Sequence, residues 1–76
     1  LAGYTKLMLL IEEGDIEGVY DLLDKGTDVN AQNKIGQTAL ILASKYGVTP
    51  AVERLIRSGA DVNIKNKVIY DKGFKW

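Results

Sequence analysis

Shifted by 33 residues, the chain matches itself. Identical pairs at that offset are Gly3/Gly36, Thr5/Thr38, Leu7/Leu40, Leu9/Leu42, Gly14/Gly47, Val19/Val52 and Leu22/Leu55. They continue through Gly26/Gly59, Asp28/Asp61, Val29/Val62, Asn30/Asn63, Asn33/Asn66 and Lys34/Lys67, which makes 13 of the 34 pairs between residues 1–34 and 34–67. Met8/Ile41, Leu23/Ile56 and Ile35/Val68 are conservative replacements. A period between about 20 and 50 residues marks a stacked array, in which one unit cannot bury its apolar face alone and its neighbour covers it. Two copies, 1–32 and 33–65, are expected, with 66–76 as a partial third copy or tail.

Both copies share one local grammar. In the second, Thr38 is placed to cap a helix, its hydroxyl accepting from free backbone amides. Leu40, Ile41, Ala43 and Ser44 then share one side of that helix, and Gly47 suits the left-handed residue just past its end. A second helix is predicted with Thr49 as cap, Pro50 as first helical residue, an apolar stripe of Val52, Leu55 and Ile56, and a stop at Gly59. The first copy repeats this: Thr5 to Glu13, a stop at Gly14, a cap at Asp15, then Val19, Leu22 and Leu23 up to Gly26. Gly18, inside that second helix, disfavours it by about 1 kcal/mol relative to Ala. Helices of about nine residues do not hold alone in water, so packing between copies must stabilise them. A polar, turn-rich stretch from Thr27 to Gln37 joins the copies.

Composition then removes most chemistry. The 76 residues include no Cys and no His. Disulfide or His/Cys metal staples are therefore excluded, as are Ser-His and Cys-His nucleophile systems. Ser44 and Ser58 have no His base, and no Gly-rich phosphate loop is present. No cofactor is expected. The longest apolar runs, Leu7–Ile11 and Ala39–Ala43, are five residues, far below the ~20 that cross a bilayer. No basic segment precedes an apolar stretch, so no signal peptide is visible; a cytoplasmic setting is expected, without membrane contact. A net charge of zero argues against nucleic acid. The zero conceals a gradient. Residues 1–33 hold seven acids against Lys6 and Lys25, net −5, and residues 34–76 hold eight bases against Glu53, Asp61 and Asp71, net +5. Such asymmetry gives a partner, or a second copy, a direction of approach.

The closing strings Leu22-Leu23-Asp24-Lys25-Gly26-Thr27-Asp28-Val29-Asn30 and Leu55-Ile56-Arg57-Ser58-Gly59-Ala60-Asp61-Val62-Asn63, one period apart, resemble those of ankyrin repeats. The opening Gly36-Gln37-Thr38-Ala39-Leu40-Ile41-Leu42-Ala43-Ser44 resembles the family's Thr-Pro-Leu-His-x-Ala signature. It departs at Pro, replaced by Lys6 and Ala39, and at His, replaced by Met8 and Ile41. The resemblance covers residues 1–68 and implies an all-α solenoid of helix-turn-helix units with hairpin-like loops between repeats. From Ile69 onward the pattern ends. Residues 68–76 suit either a small hairpin turning at Asp71-Lys72-Gly73, which would lay Ile69, Phe74 or Trp76 over the end of the array, or a frayed tail.

By the same resemblance, the chain is expected to be a non-catalytic module that binds another protein through its loop tips and the concave face of the first helices. Position by position, this marks Leu1, Ala2, Tyr4, Glu12 and Glu13 in copy one, and Lys34, Ile35, Gln37, Lys45 and Tyr46 in copy two. Lys67, Val68 and Tyr70 follow at the start of copy three. Tyr4, Tyr46 and Tyr70 stand beside charges, and Tyr is enriched among interface hot spots. Leu9 and Leu42 lie on the same helix face but are read as spacers between repeats. Asn30 and Asn63 are read as ties to backbone. No small-molecule substrate is evident. Two alternatives stay open. Leu7–Ile11 is apolar nearly all round, so the chain either self-associates head to tail or is a piece of a longer array, which includes a larger multidomain protein whose activity lies elsewhere.

Overall fold

A computed structural model describes residues 3–64. Four helices follow in order: α1 (Lys6–Glu13), α2 (Ile16–Asp24), α3 (Ala39–Tyr46) and α4 (Thr49–Arg57). Within each copy the two helices pack on each other; between copies α1 packs on α3 and α2 on α4. The result is two layers, α1/α3 and α2/α4. No strand occurs among the described residues. The segment between copies is held by turns, with the Asn33 amide donating to the Gln37 carbonyl at 2.9 Å and the Gly36 amide to the Asn33 carbonyl at 3.0 Å.

Three of the four helix starts follow the sequence. Thr5 accepts from the Met8 amide, Asp15 from the Gly18 amide and Thr38 from the Ile41 amide, at 3.2, 3.0 and 3.2 Å. The fourth is displaced by one residue. The cap of α4 is Val48, which has no side-chain acceptor, so Thr49 is the first helical residue and Pro50 the second. Pro50 has no N–H, so one of the donors a cap would have satisfied is missing from the start. Each first helix ends on a left-handed glycine, Gly14 at φ 73° and Gly47 at φ 69°.

Leu7, Met8, Ile11, Val19, Leu42 and Leu55 are fully buried, joined by Leu23, Ala39, Leu40, Ala43, Ala51 and Ala60. Each large member contributes roughly 1.5–3 kcal/mol by leaving water. The predicted α3 face is corrected here. Leu40 and Ala43 are buried and Ile41 is half-buried, but Ser44 is exposed, and Ala39 and Leu42 are inside. α3 lies against both α1 and α4, so its covered arc is wider than one stripe. In α4, Leu55 is buried and Val52 half-buried as expected, whereas Ile56 is half exposed.

Polar ties cross between the copies. The Asp61 amide donates to Asn30 Oδ1 at 2.7 Å, the backbone role expected of that loop Asn. On the outer layer, Arg54 of α4 pairs with Asp24 of α2 and its guanidinium lies 4.8 Å from the centre of the Tyr20 ring.

Candidate partner-binding face

The α1/α3 layer brings three of the expected residues together. Glu12 lies in the last turn of α1 and Tyr46 is the last residue of α3. Because α1 and α3 are neighbours, residues one period apart stand side by side, and the Tyr46 hydroxyl donates to Glu12 Oε1 at 3.3 Å. Tyr4, half-buried at the entry to α1, lies near the same carboxylate. Both phenols hold their protons more firmly than usual. Partial burial is the leading cause in each case, and the nearby Glu12 carboxylate adds to it. The Lys45 ammonium stands 5.6 Å from the centre of the Tyr46 ring, within cation–π range.

The other expected residues fall into three groups. Glu13, Lys34 and Ile35 are exposed, the last two at the turn between copies. Gln37 is only 4% exposed. Its side chain accepts from Asn33 Nδ2 at 2.8 Å, and its amide donates to Asn33 Oδ1 at 2.9 Å, so it braces the turn instead of facing solvent. Leu1, Ala2, Lys67, Val68 and Tyr70, together with the tail hairpin, lie outside the described residues. Of the two residues read as spacers, Leu42 is fully buried and Leu9 is 38% exposed.

Sequence reasoning passed over the outer trio of Tyr20, Asp24 and Arg54. The available signal was an acid and a base 30 residues apart, close to one period, on equivalent helices. It also missed Asn33, buried and bonded to Ile35, Gln37 and the turn; its identity with Asn66 was the only clue. Among the described residues no group of three or more His, Cys, Asp or Glu side chains gathers to hold a metal ion, and no helix is long and apolar enough to cross a membrane.

This geometry has close counterparts. A family model described as ankyrin repeats (3 copies) matches residues 7–73. Among solved structures, the ankyrin repeat domain of Bcl-3, described as a unique member of the IkappaB protein family, is 40% identical with a TM-score of 0.83. The match covers 88% of this chain and 29% of that one, so the chain spans under a third of its neighbour's length. No curated protein sequence matches. With two helix pairs stacked at a 33-residue period and a family match over most of its length, the chain belongs to the ankyrin-repeat family.

Proposed function

We propose that this chain is a non-catalytic module that binds a partner protein through the α1/α3 face and the adjoining turn. Ankyrin repeats are generally protein–protein interaction modules. The observation that carries the reading to this face is the Tyr4–Glu12–Tyr46 cluster, which spans both repeats while Glu12 and Tyr46 remain exposed. Glu13, Lys34, Ile35 and Lys45 surround it as rim, and Lys67, Val68 and Tyr70 extend the proposed surface. Gln37 has a bracing role and is left out. A cytoplasmic setting is part of the proposal. Replacing Lys45 and Tyr46 together by Ala is expected to leave the helical circular dichroism unchanged and to weaken capture of partner proteins several-fold. A control pair on the outer helices, Glu17→Ala with Glu53→Ala, should have no effect. The opposite pattern would overturn the assignment of this face.

A second reading, head-to-tail self-association, is favoured by the exposure of Leu9 in the first copy and of Ile56 and Val62 in the second. Stacking of this kind is heterologous and builds rings or filaments. Sedimentation equilibrium at low salt and at ~1 M salt, where the Debye length is ~3 Å, tests it. Dimers or larger should persist in part at high salt, since salt does not weaken apolar burial. A cooperatively melting monomer at both salts removes the reading.

A further inference from the structure

The outer layer contains a completed form of what the inner layer leaves incomplete. On α2 and α4, a carboxylate (Asp24), a phenol ring (Tyr20) and a guanidinium (Arg54) meet, with the guanidinium stacked on the ring and paired with the acid. On α1 and α3, the Glu12 carboxylate accepts from the Tyr46 phenol, with the Tyr4 phenol nearby at the entry to α1 and no guanidinium among them. Among the described residues the ion pairs are Lys25–Asp21 and Arg54–Asp24, so Glu12 has no cation within ion-pair distance there.

The inner acid also stands in an unfavourable place. Glu12 and Glu13 occupy the last turn of α1, which has no basic residue. The carbonyl end of a helix carries about half a negative charge, and carboxylates there add to it where a cation would offset it. The exposed Tyr46 and the half-buried Tyr4 near that negative spot supply ring faces attractive to a cation. Tyr46 already shows this, since the chain's own Lys45 ammonium lies over its ring at 5.6 Å. An ammonium is a point charge. A guanidinium is planar, bonds a carboxylate through two parallel N–H groups and stacks on rings, which is how Arg54 is used on the opposite side of the molecule.

We infer that the Tyr4–Glu12–Tyr46 cluster is a receptor for an arginine side chain of the bound protein, and that the partner segment docking on α1/α3 is therefore basic. This rests on the proposed binding face and specifies the chemistry it selects. The net −5 charge of residues 1–33 would steer such a segment toward the first repeat.

The probe is a short blocked peptide, Gly-Arg-Gly-Arg-Gly, with a citrulline version of the same shape but no charge, titrated into the isotope-labelled full chain and followed by amide chemical shifts. Shifts are expected at Tyr4, Glu12, Glu13 and Tyr46, with the citrulline peptide inert. Glu12→Gln should weaken the response by about three- to fivefold, as suits an exposed charge pair. Tyr46→Phe, which keeps the ring, should bind better than Tyr46→Leu. Glu12 is exposed, so the fold should survive these changes; unchanged amide spectra of the free variants verify it. Shifts centred on Asp21 and Asp24 of α2, an equal response to the citrulline peptide, or an unaffected Glu12→Gln variant would each overturn the arginine receptor. If the Lys45/Tyr46 double substitution still releases whole partner proteins while the arginine peptide gives no response, the face is right and its cation preference is wrong.

Discussion

The two copies carry nearly the same grammar yet differ in what they bury. Leu42 is fully buried, whereas Leu9, its equivalent one period earlier, is 38% exposed; Leu55 is buried and Leu22 half-buried. At the other end the order reverses. Met8 and Leu23 are inside, while Ile41 is half-buried and Ile56 half exposed. Equivalent residues thus have different environments because, among the described residues, each copy is covered by the other on one side only. In a stacked array the interface term between neighbours, more than the intrinsic stability of a unit, decides what a side chain contributes. Position within the repeat says which way a residue points; position within the array says whether anything lies there.

The largest expected effect follows directly. Leu42→Ala removes a fully buried side chain of α3 and should cost roughly 2–5 kcal/mol, because the transfer loss and the residual cavity add. Leu9→Ala should cost under about 1 kcal/mol, since its side chain already meets water. Urea unfolding of the full chain measures both. Similar costs for the two would mean that something covers Leu9 in solution, and would favour self-association.

A second pair should show no such asymmetry. Gly26 and Gly59 adopt φ 82° and 93°, and a Cβ added at either would meet no atom within 4 Å. Only the backbone conformation opposes a side chain there. Val at either site should therefore cost more than about 1 kcal/mol, and by the same amount in both copies. Unequal losses would show that neighbours reach these turns after all. The loop asparagines return to asymmetry on a smaller scale. Asn30→Ala deletes the acceptor for the Asp61 amide and should cost about 1 kcal/mol. Among the described residues no donor reaches the side chain of Asn63, and Asn63→Ala should stay within about 0.5 kcal/mol.

Legibility in the sequence divides along the same line. Much that belongs to one unit was readable: the Thr5, Asp15 and Thr38 caps, the glycine stops and stripe positions such as Leu40, Ala43 and Leu55, though not Ser44 or Ile56. Each depends on residues three or four apart. The α4 start was misplaced because Thr49-Pro50 satisfies a capping pattern that the backbone meets one residue earlier. Whatever depends on the neighbouring copy was only half readable. The period places Glu12 near Tyr46, and both were marked as face residues. Nothing local says that a hydroxyl of one meets the carboxylate of the other, that Asp24 and Arg54 pair, or that Gln37 turns inward to brace Asn33. Such contacts are set by side-chain reach across the stack, and a period fixes only the helices from which the side chains start.

The smallest expected effect concerns Gly18, where a purely local reading goes astray. Helix propensity makes this glycine a fault worth about 1 kcal/mol relative to Ala. Yet its amide donates to the Asp15 cap, and a Cβ built there would lie 2.7 Å from Asp15 Oδ2. That is closer than real contacts allow, and the atom it meets is the end of a side chain that can rotate away only by loosening the cap. The second copy resolves the same site differently. Ala51, one period later, is fully buried, and the cap position there is Val48, which makes no side-chain bond. Glycine with an aspartate cap and alanine with no cap are two self-consistent solutions at one place in the repeat. Gly18→Ala alone should consequently change stability by less than about 0.5 kcal/mol, the propensity gain offsetting a weakened cap worth about 1 kcal/mol. In an Asp15→Ala background the same substitution has no cap to disturb and should stabilise by about 1 kcal/mol. The double-mutant cycle isolates this coupling. Additive effects would mean that the carboxylate swings clear without loss, and that the two copies differ there by accident of sequence alone.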